Sequence, residues 1–132
     1  MVIWRYNSNG TMDTSFGRGG IVVHNNTALG NGDDKGNSIY VDKYGKIYVT
    51  GYSWNGKDYD MVIWRYNSDG TFDRAFSTRE FGRDGIVIHN NAAGGNGNDH
   101  GNSIYVDSDG KIYVTGYSWN GKDYDMVIWK YK

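Results

Sequence analysis

The chain contains no cysteine, no proline and a single glutamate, Glu80, and no apolar run approaches the ~18 residues of a membrane helix. Without cysteine there is no disulfide framework, no thiol nucleophile and no thiolate zinc site. No basic-then-apolar leader opens the chain, so the expectation is a soluble protein with no cleaved signal. Fourteen Lys and Arg stand against fifteen Asp and Glu, a formal charge of -1, which argues against a nucleic-acid surface because phosphate recognition gathers basic residues in excess. What remains is 132 residues with 20 glycines and 16% aromatics, the length of one domain and too aromatic for a disordered tail.

Those residues repeat. MVIWRYNSNGTMD at Met1 returns as MVIWRYNSDGTFD at Met61 and, cut short, as MVIWKYK at Met126. The first spacing is 60 residues and the second 65, the difference lying in an insertion around AFSTREFGRDG where the first copy has SFGRGG. From Gly36 to Trp64 the chain matches Gly101 to Trp129 everywhere except at Lys43 and Tyr44, which become Ser108 and Asp109. Units this alike must share a fold. The chain therefore reads as a single domain of two tandem repeats, about 1–60 and 61–125, with a closing strand at 126–132.

Within a unit, short β-branched and aromatic runs alternate with turn residues and no helical period appears, which predicts an all-β protein. Four strands are expected: Gly20 to Asn25, Asn37 to Asp42, Lys46 to Trp54 and Tyr59 to Asn67. The tetrad from Asp42 to Gly45 and the pair Asn55 and Gly56 have the chemistry of tight hairpin turns, since Asn and Gly accept positive φ. The Gly- and Asn-rich NNTALGNGDDKG and the stretch after Asn67 are the long loops. In this reading the strand from Gly20 is innermost and the strand from Tyr59 outermost.

Both sides of each strand are apolar: on the fourth, Val62, Trp64 and Tyr66 alternate with Met61 and Ile63. A lone sheet cannot bury both faces, but sheets stacked radially can. The predicted fold is a β-propeller of four-stranded antiparallel blades, which closes with roughly four to eight blades. Two blades per chain are too few, so the ring is expected to be completed by other copies, a homotrimer giving six and a homotetramer eight. The pattern holds nine strands rather than eight. The surplus N-terminal MVIWRYN either swaps into a neighbour's last blade, adds an outer edge, or marks a piece of a longer repeat protein.

The strings DSDGKIYVTGYSWNGKDYD, RYNSDGTFDRAF and FGRGGIVV resemble the bacterial delta-sixty repeat and the related SBBP-type β-propeller repeat over essentially the whole chain. The resemblance implies propeller blades of the kind found in long, often secreted or surface-attached bacterial proteins without an assigned catalytic activity.

Active sites break symmetry, and these repeats barely do. Glu80 and His100, which stands where the first copy has Lys35, have no partner at the spacing of a nucleophile and base or of paired carboxylates, so no enzyme and no cofactor are expected. His24 and His89 are equivalent and, at the end of the strand read as innermost, would gather near the axis of a ring, where a hydrolase site could be built. No metal site is expected, because no second ligand sits at metal-binding spacing. The loops holding Asp33, Asp34 and Asp99 lack the spacing and distal glutamate of a calcium loop, and these aspartates read as solvated turn residues. Asp42, Asp107 and Asp109 read as hairpin-turn residues, and Asp13 and Asp73 as anchors of the long connection. Arg18 and Arg83 read as loop anchors on the opposite side. Trp54 and Trp119 precede the Asn-Gly turns and are followed by Asn55 and Asp58, and by Asn120 and Asp123. A flat indole beside amides and carboxylates suits a pyranose, with Asp33, Asp34 and Asp99 from the long loops nearby. The primary reading is a non-catalytic, self-associating scaffold or binding module, and the alternative is a multivalent carbohydrate-binding lectin.

Overall fold

The computed structural model describes residues 1–76 and 82–132, with Gly82 and Arg83 described by their backbone alone. Glu80 and most of the inserted stretch lie outside the described residues, as does the Arg83 side chain. The described residues form ten strands and no helix: β1 (Val2–Trp4), β2 (Ile21–Val23), β3 (Asp34–Val41), β4 (Ile47–Trp54), β5 (Tyr59–Tyr66), β6 (Gly82–Arg83), β7 (Ile86–His89), β8 (Asp99–Val106), β9 (Ile112–Trp119) and β10 (Tyr124–Tyr131). The predicted hairpins form where the turn chemistry places them. Gly45 adopts φ 78° while the Asp42 carboxylate accepts the Tyr44 and Lys46 amides, and Gly56 adopts φ 104° while the Asn55 side-chain oxygen accepts the Lys57 and Asp58 amides.

Three antiparallel sheets result, ordered β1-β2, β3-β4-β5-β7-β6 and β10-β9-β8. This order corrects one expectation: the strand from Ile21, like its copy β7, lies beyond MVIWRY in the sheet, not at its inner edge. The cause is local. The connection after each MVIWRY folds back on itself through the bridges Tyr6 to Met12 and Tyr66 to Phe72, with the Asn7 amide bonded to the Thr11 carbonyl and the Asn67 amide to the Thr71 carbonyl. The chain thus returns antiparallel, and β2 pairs with β1 as β7 pairs with β5. Asp13 and Asp73 hold these connections as expected, Asp13 bound to the Arg5 Nε at 2.9 Å and Asp73 to Lys46 Nζ at 2.6 Å and an Arg65 nitrogen at 3.1 Å. The crossing from one sheet to the next falls in the Asn- and Gly-rich loops, so each sheet boundary lies inside a sequence repeat. β10 is accordingly a third strand, paired with β9 along its whole length.

The sheets stack face to face. The central sheet turns Val49, Val62, Trp64, Tyr66 and Ile86 toward Ile3 and Val22 of the N-terminal pair and Phe16 of the connection between its strands. Its other face sets Tyr48, Met61, Ile63 and Val87 against Ile104, Val106, Ile112, Val114 and Trp129. All four residues from Met61 to Trp64 are fully buried, as a strand apolar on both sides requires. The first strands β3 and β8 meet at the inner edge, where the Asn37 side-chain amide donates to the Gly101 carbonyl at 2.8 Å. Gly101 allows that close approach: a Cβ on it would stand 2.3 Å from the Thr50 hydroxyl across the junction.

Candidate functional site

The Trp54 turn lies beside the Asn- and Gly-rich loop, as its strand position requires. The Trp54 amide donates to the Asp33 carbonyl, the Gly30 amide donates to the Trp54 carbonyl, and the indole lies so close to Gly32 that a Cβ there would sit 2.6 Å from the ring. Trp119 repeats this arrangement against Gly95 and Gly97. Each indole is therefore packed under its own loop and against a tyrosine ring, Tyr59 or Tyr124, with centroids 5.2 Å apart. The amides beside them are engaged in the turn. Asn55 donates to Asp58 at 2.6 Å and Asp60 at 2.9 Å, and Asn120 donates to Asp123 and Asp125 at the same distances.

The loop aspartates divide. Asp33 is exposed and pairs with Lys35 at 3.4 Å, the solvated residue expected. Asp34 and Asp99 differ from that expectation. Asp34 accepts the Asn26 and Thr27 amides, and Asp99, fully buried, accepts the Asn91 and Ala92 amides. Each side chain thus closes a loop whose backbone bends through positive φ at Asn26 or Asn91, taking up two of its amides. Among the buried carboxylates Asp60 is distinctive: burial pushes its pKa up to about 6 against the hydrogen bond from Asn55, and the charges of Asp58 and Asp99 push the same way as burial.

His24 and His89 belong to the outer region of the sheets, His89 ending β7 and His24 following β2, so they do not line the inner edge formed by β3 and β8. That placement corrects the axial ring, whose premise was the inverted strand order. Each histidine is joined to a tyrosine hydroxyl, His24 to Tyr66 at 3.0 Å and His89 to Tyr131 at 3.3 Å, and burial lowers both pKa values. His100 is joined to Tyr117 at 3.0 Å, and its ring centroid lies 4.0 Å from that of Tyr52. Among the described residues, no three His, Asp or Glu side chains converge as metal ligands.

The unsatisfied surfaces lie at the two ends of the stack. The sheet face that carries Trp64 in the middle of the protein carries Trp4 at the N-terminal end, and exposure rises from 0% to 57%. The opposite face carries Met61 in the middle and Met126 at the C-terminal end, rising from 0% to 72%; Ile128 is bare where Ile63 is buried. A third gap adjoins β1. Ile39 is 53% exposed whereas its copy Ile104 is 7% exposed, because the C-terminal sheet leans its inner strands on the central one and the N-terminal pair has no inner strands to offer. The gap is a cleft of about 240 Å³ lined by Val2, Trp4, Asn37, Ile39 and Val49 among others. Sequence reasoning passed over these residues. The signal was available in the repeats themselves, since a position buried by the adjoining unit must be bare wherever that unit is missing.

This architecture agrees with what the chain is similar to. A family model for a β-propeller domain of unknown function (DUF5122) matches residues 1–16 and 45–76, and one for the SBBP β-propeller repeat matches residues 28–60 and 78–125. Neither curated proteins nor solved structures give a match. The first model covers MVIWRY at Met1 and Met61 with part of the connection after it, the second covers the sheet-crossing loops and the strands after them, and the two overlap over residues 45–60. Antiparallel sheets stacked face on face, and covered for more than half the chain by one repeat model, place the protein in the SBBP β-propeller repeat family, a binding or scaffold module by its fold.

Proposed function

We propose that the protein is a non-catalytic scaffold whose open ends join copies head to tail into a closed ring. The observation that carries this is the complementarity of the ends: the C-terminal sheet stops at β10 and bares Met126 and Ile128, while the N-terminal pair supplies β2, the strand that would lie beyond β10, and leaves Ile39 of the central sheet bare. Such a heterologous contact repeats until rotation closes it. Three copies would give six blades and four would give eight. Burying side chains of the size of Ile39, Met126 and Ile128 is worth roughly 1.5–3 kcal/mol each before the cost of association. Sedimentation equilibrium at micromolar concentration tests the reading. A stable trimer or tetramer is expected, and a monodisperse monomer that unfolds cooperatively would overturn it.

Carbohydrate binding is a second reading, favoured by a cleft of about 480 Å³ between the blades, lined by Tyr59, Asn98, His100, Tyr117 and Tyr124 and adjoining the Trp119 turn. Aromatic rings beside an amide and an imidazole suit a sugar. Against it, the polar groups of Asn55, Asp34 and Asp99 are engaged in holding loops. A glycan array decides it, with a Trp54→Ala, Trp119→Ala variant as control: binding by the unaltered chain that the variant lacks supports a lectin, and an unlabelled array removes it.

A further inference from the structure

MVIW occurs three times in the chain and the IVV-type strand only twice, so head-to-tail association leaves one strand too many. At a junction, β10 of one copy and β1 of the next would compete for one place. We infer that β10 takes it: the C-terminal sheet of one copy is completed by β2 of the next, giving a blade β8-β9-β10-β2 in which β1 is displaced. This rests on the self-association proposed above.

Three observations favour β10. It is paired along eight residues with β9, whereas β1 is paired along three with β2 and, among the described residues, has no strand on its other side. The exchange also brings inner strands to the gap beside β1, so β8 and β9 would cover Ile39 of the next copy as β3 and β4 cover Ile104. Finally, charge is conserved. Arg5 pairs with Asp13 and Arg65 with Asp73, and the residue at that position of β10 is Lys130, which would meet Asp13 of the next copy.

Register makes the inference testable. β1 pairs Val2 with Val23, and the Met1 and His24 backbones exchange both ladder bonds, so the Val2 and Val23 pair is of the closer, non-hydrogen-bonded kind. Val127 occupies the Val2 position of β10. In a chain without cysteine, a Val127→Cys, Val23→Cys variant should therefore oxidise to covalently linked multimers, with Cα atoms within the ~4.4–6.8 Å a disulfide spans, while each single variant stays unlinked. A Val2→Cys, Val23→Cys variant oxidised as dilute chain should have β1 locked on β2 and assemble less than the same variant kept reduced. Unlinked Val127→Cys, Val23→Cys chains in an assembly of unchanged mass would overturn the strand exchange and leave self-association standing. A monomeric unaltered chain would overturn both. Should the cysteine variants fold poorly, Lys130→Glu serves: it should weaken assembly roughly fivefold and Asp13→Lys in the same chain should restore it, whereas no effect of either would sink the exchange.

Discussion

The indole N–H of Trp64 donates to the hydroxyl of Thr27 at 2.9 Å, while the equivalent nitrogen of Trp129 is buried with no hydrogen-bond partner among the described residues. The difference traces to one residue, because the position of Thr27 in the second copy is Ala92, which packs against the same core as Trp129. Leaving a buried donor unpaired costs about 1–3 kcal/mol. Ala92→Thr should therefore raise the free energy of unfolding by about 1 kcal/mol, and Thr27→Ala should lower it by a similar amount. Urea denaturation reads both, and an unchanged or lower midpoint for Ala92→Thr would show that the hydroxyl does not reach the indole.

Gly101 and Gly36 occupy the same repeat position but meet different neighbours. A Cβ on Gly101 would stand 2.3 Å from the Thr50 hydroxyl and 3.2 Å from the Gly51 carbonyl oxygen, whereas on Gly36 its nearest neighbours would be the Met1 Cγ and a Val49 methyl, both at 3.0 Å. Gly101→Ala must push the central and C-terminal sheets apart and should cost about 1–3 kcal/mol, with Gly36→Ala costing less because Met1 can swing aside. Equal losses in parallel thermal melts would show that the inner junction has slack.

Ile39 and Ile104 give a second matched pair. Ile104→Ser removes a side chain locked between the stacked sheets and should destabilise the chain by about 2–4 kcal/mol. Ile39→Ser should leave the unfolding of dilute chain within about 0.5 kcal/mol of the original, yet weaken assembly. Denaturation at low concentration and sedimentation at high concentration separate the two effects. A large loss of stability in dilute Ile39→Ser would mean that the position is covered within a single chain.

Asp60 supplies a pH dependence whose sign follows from its raised pKa. The folded chain holds a proton on this carboxyl up to about pH 6, the unfolded chain only to about pH 4. Its contribution therefore favours folding most at low pH and is lost as pH rises through 6. Asp60→Asn keeps an acceptor for Asn55 and removes the charge. The variant should be more stable than the original at pH 8, with the difference shrinking toward pH 4. A constant difference across that range would show that Asp60 is already solvated.

The strands, the short hairpin turns and the burial of both sheet faces were legible in the sequence because each depends on residues close together. Asn55 and Gly56 define their hairpin with no help from elsewhere, and the alternation around Ile63 requires two covered faces. The place of Ile21–Val23 was not legible, because it depends on how the long connection from Asn7 to Gly20 folds, and its bridge from Tyr6 to Met12 leaves no periodic trace. The misplaced strand carried His24 and His89 with it. Nor did composition reveal Asp34 and Asp99, since an aspartate that ties a loop and one that faces solvent look alike until the amides they accept are known.

The strand order also grades side-chain bulk across each sheet. Inner strands carry Gly36, Asn37 and Ser38, or Gly101, Asn102 and Ser103, while the outer half holds Trp64, Tyr66, Phe16 and Phe72. Each layer is thus a wedge, thin where β3 and β8 meet and thick toward β2 and β7, so successive layers fan about a line instead of piling into a straight column. The fan angle is written in the ratio of those volumes. Swelling the thin edge or trimming the thick one would narrow that angle, and in the proposed ring would make room for another copy.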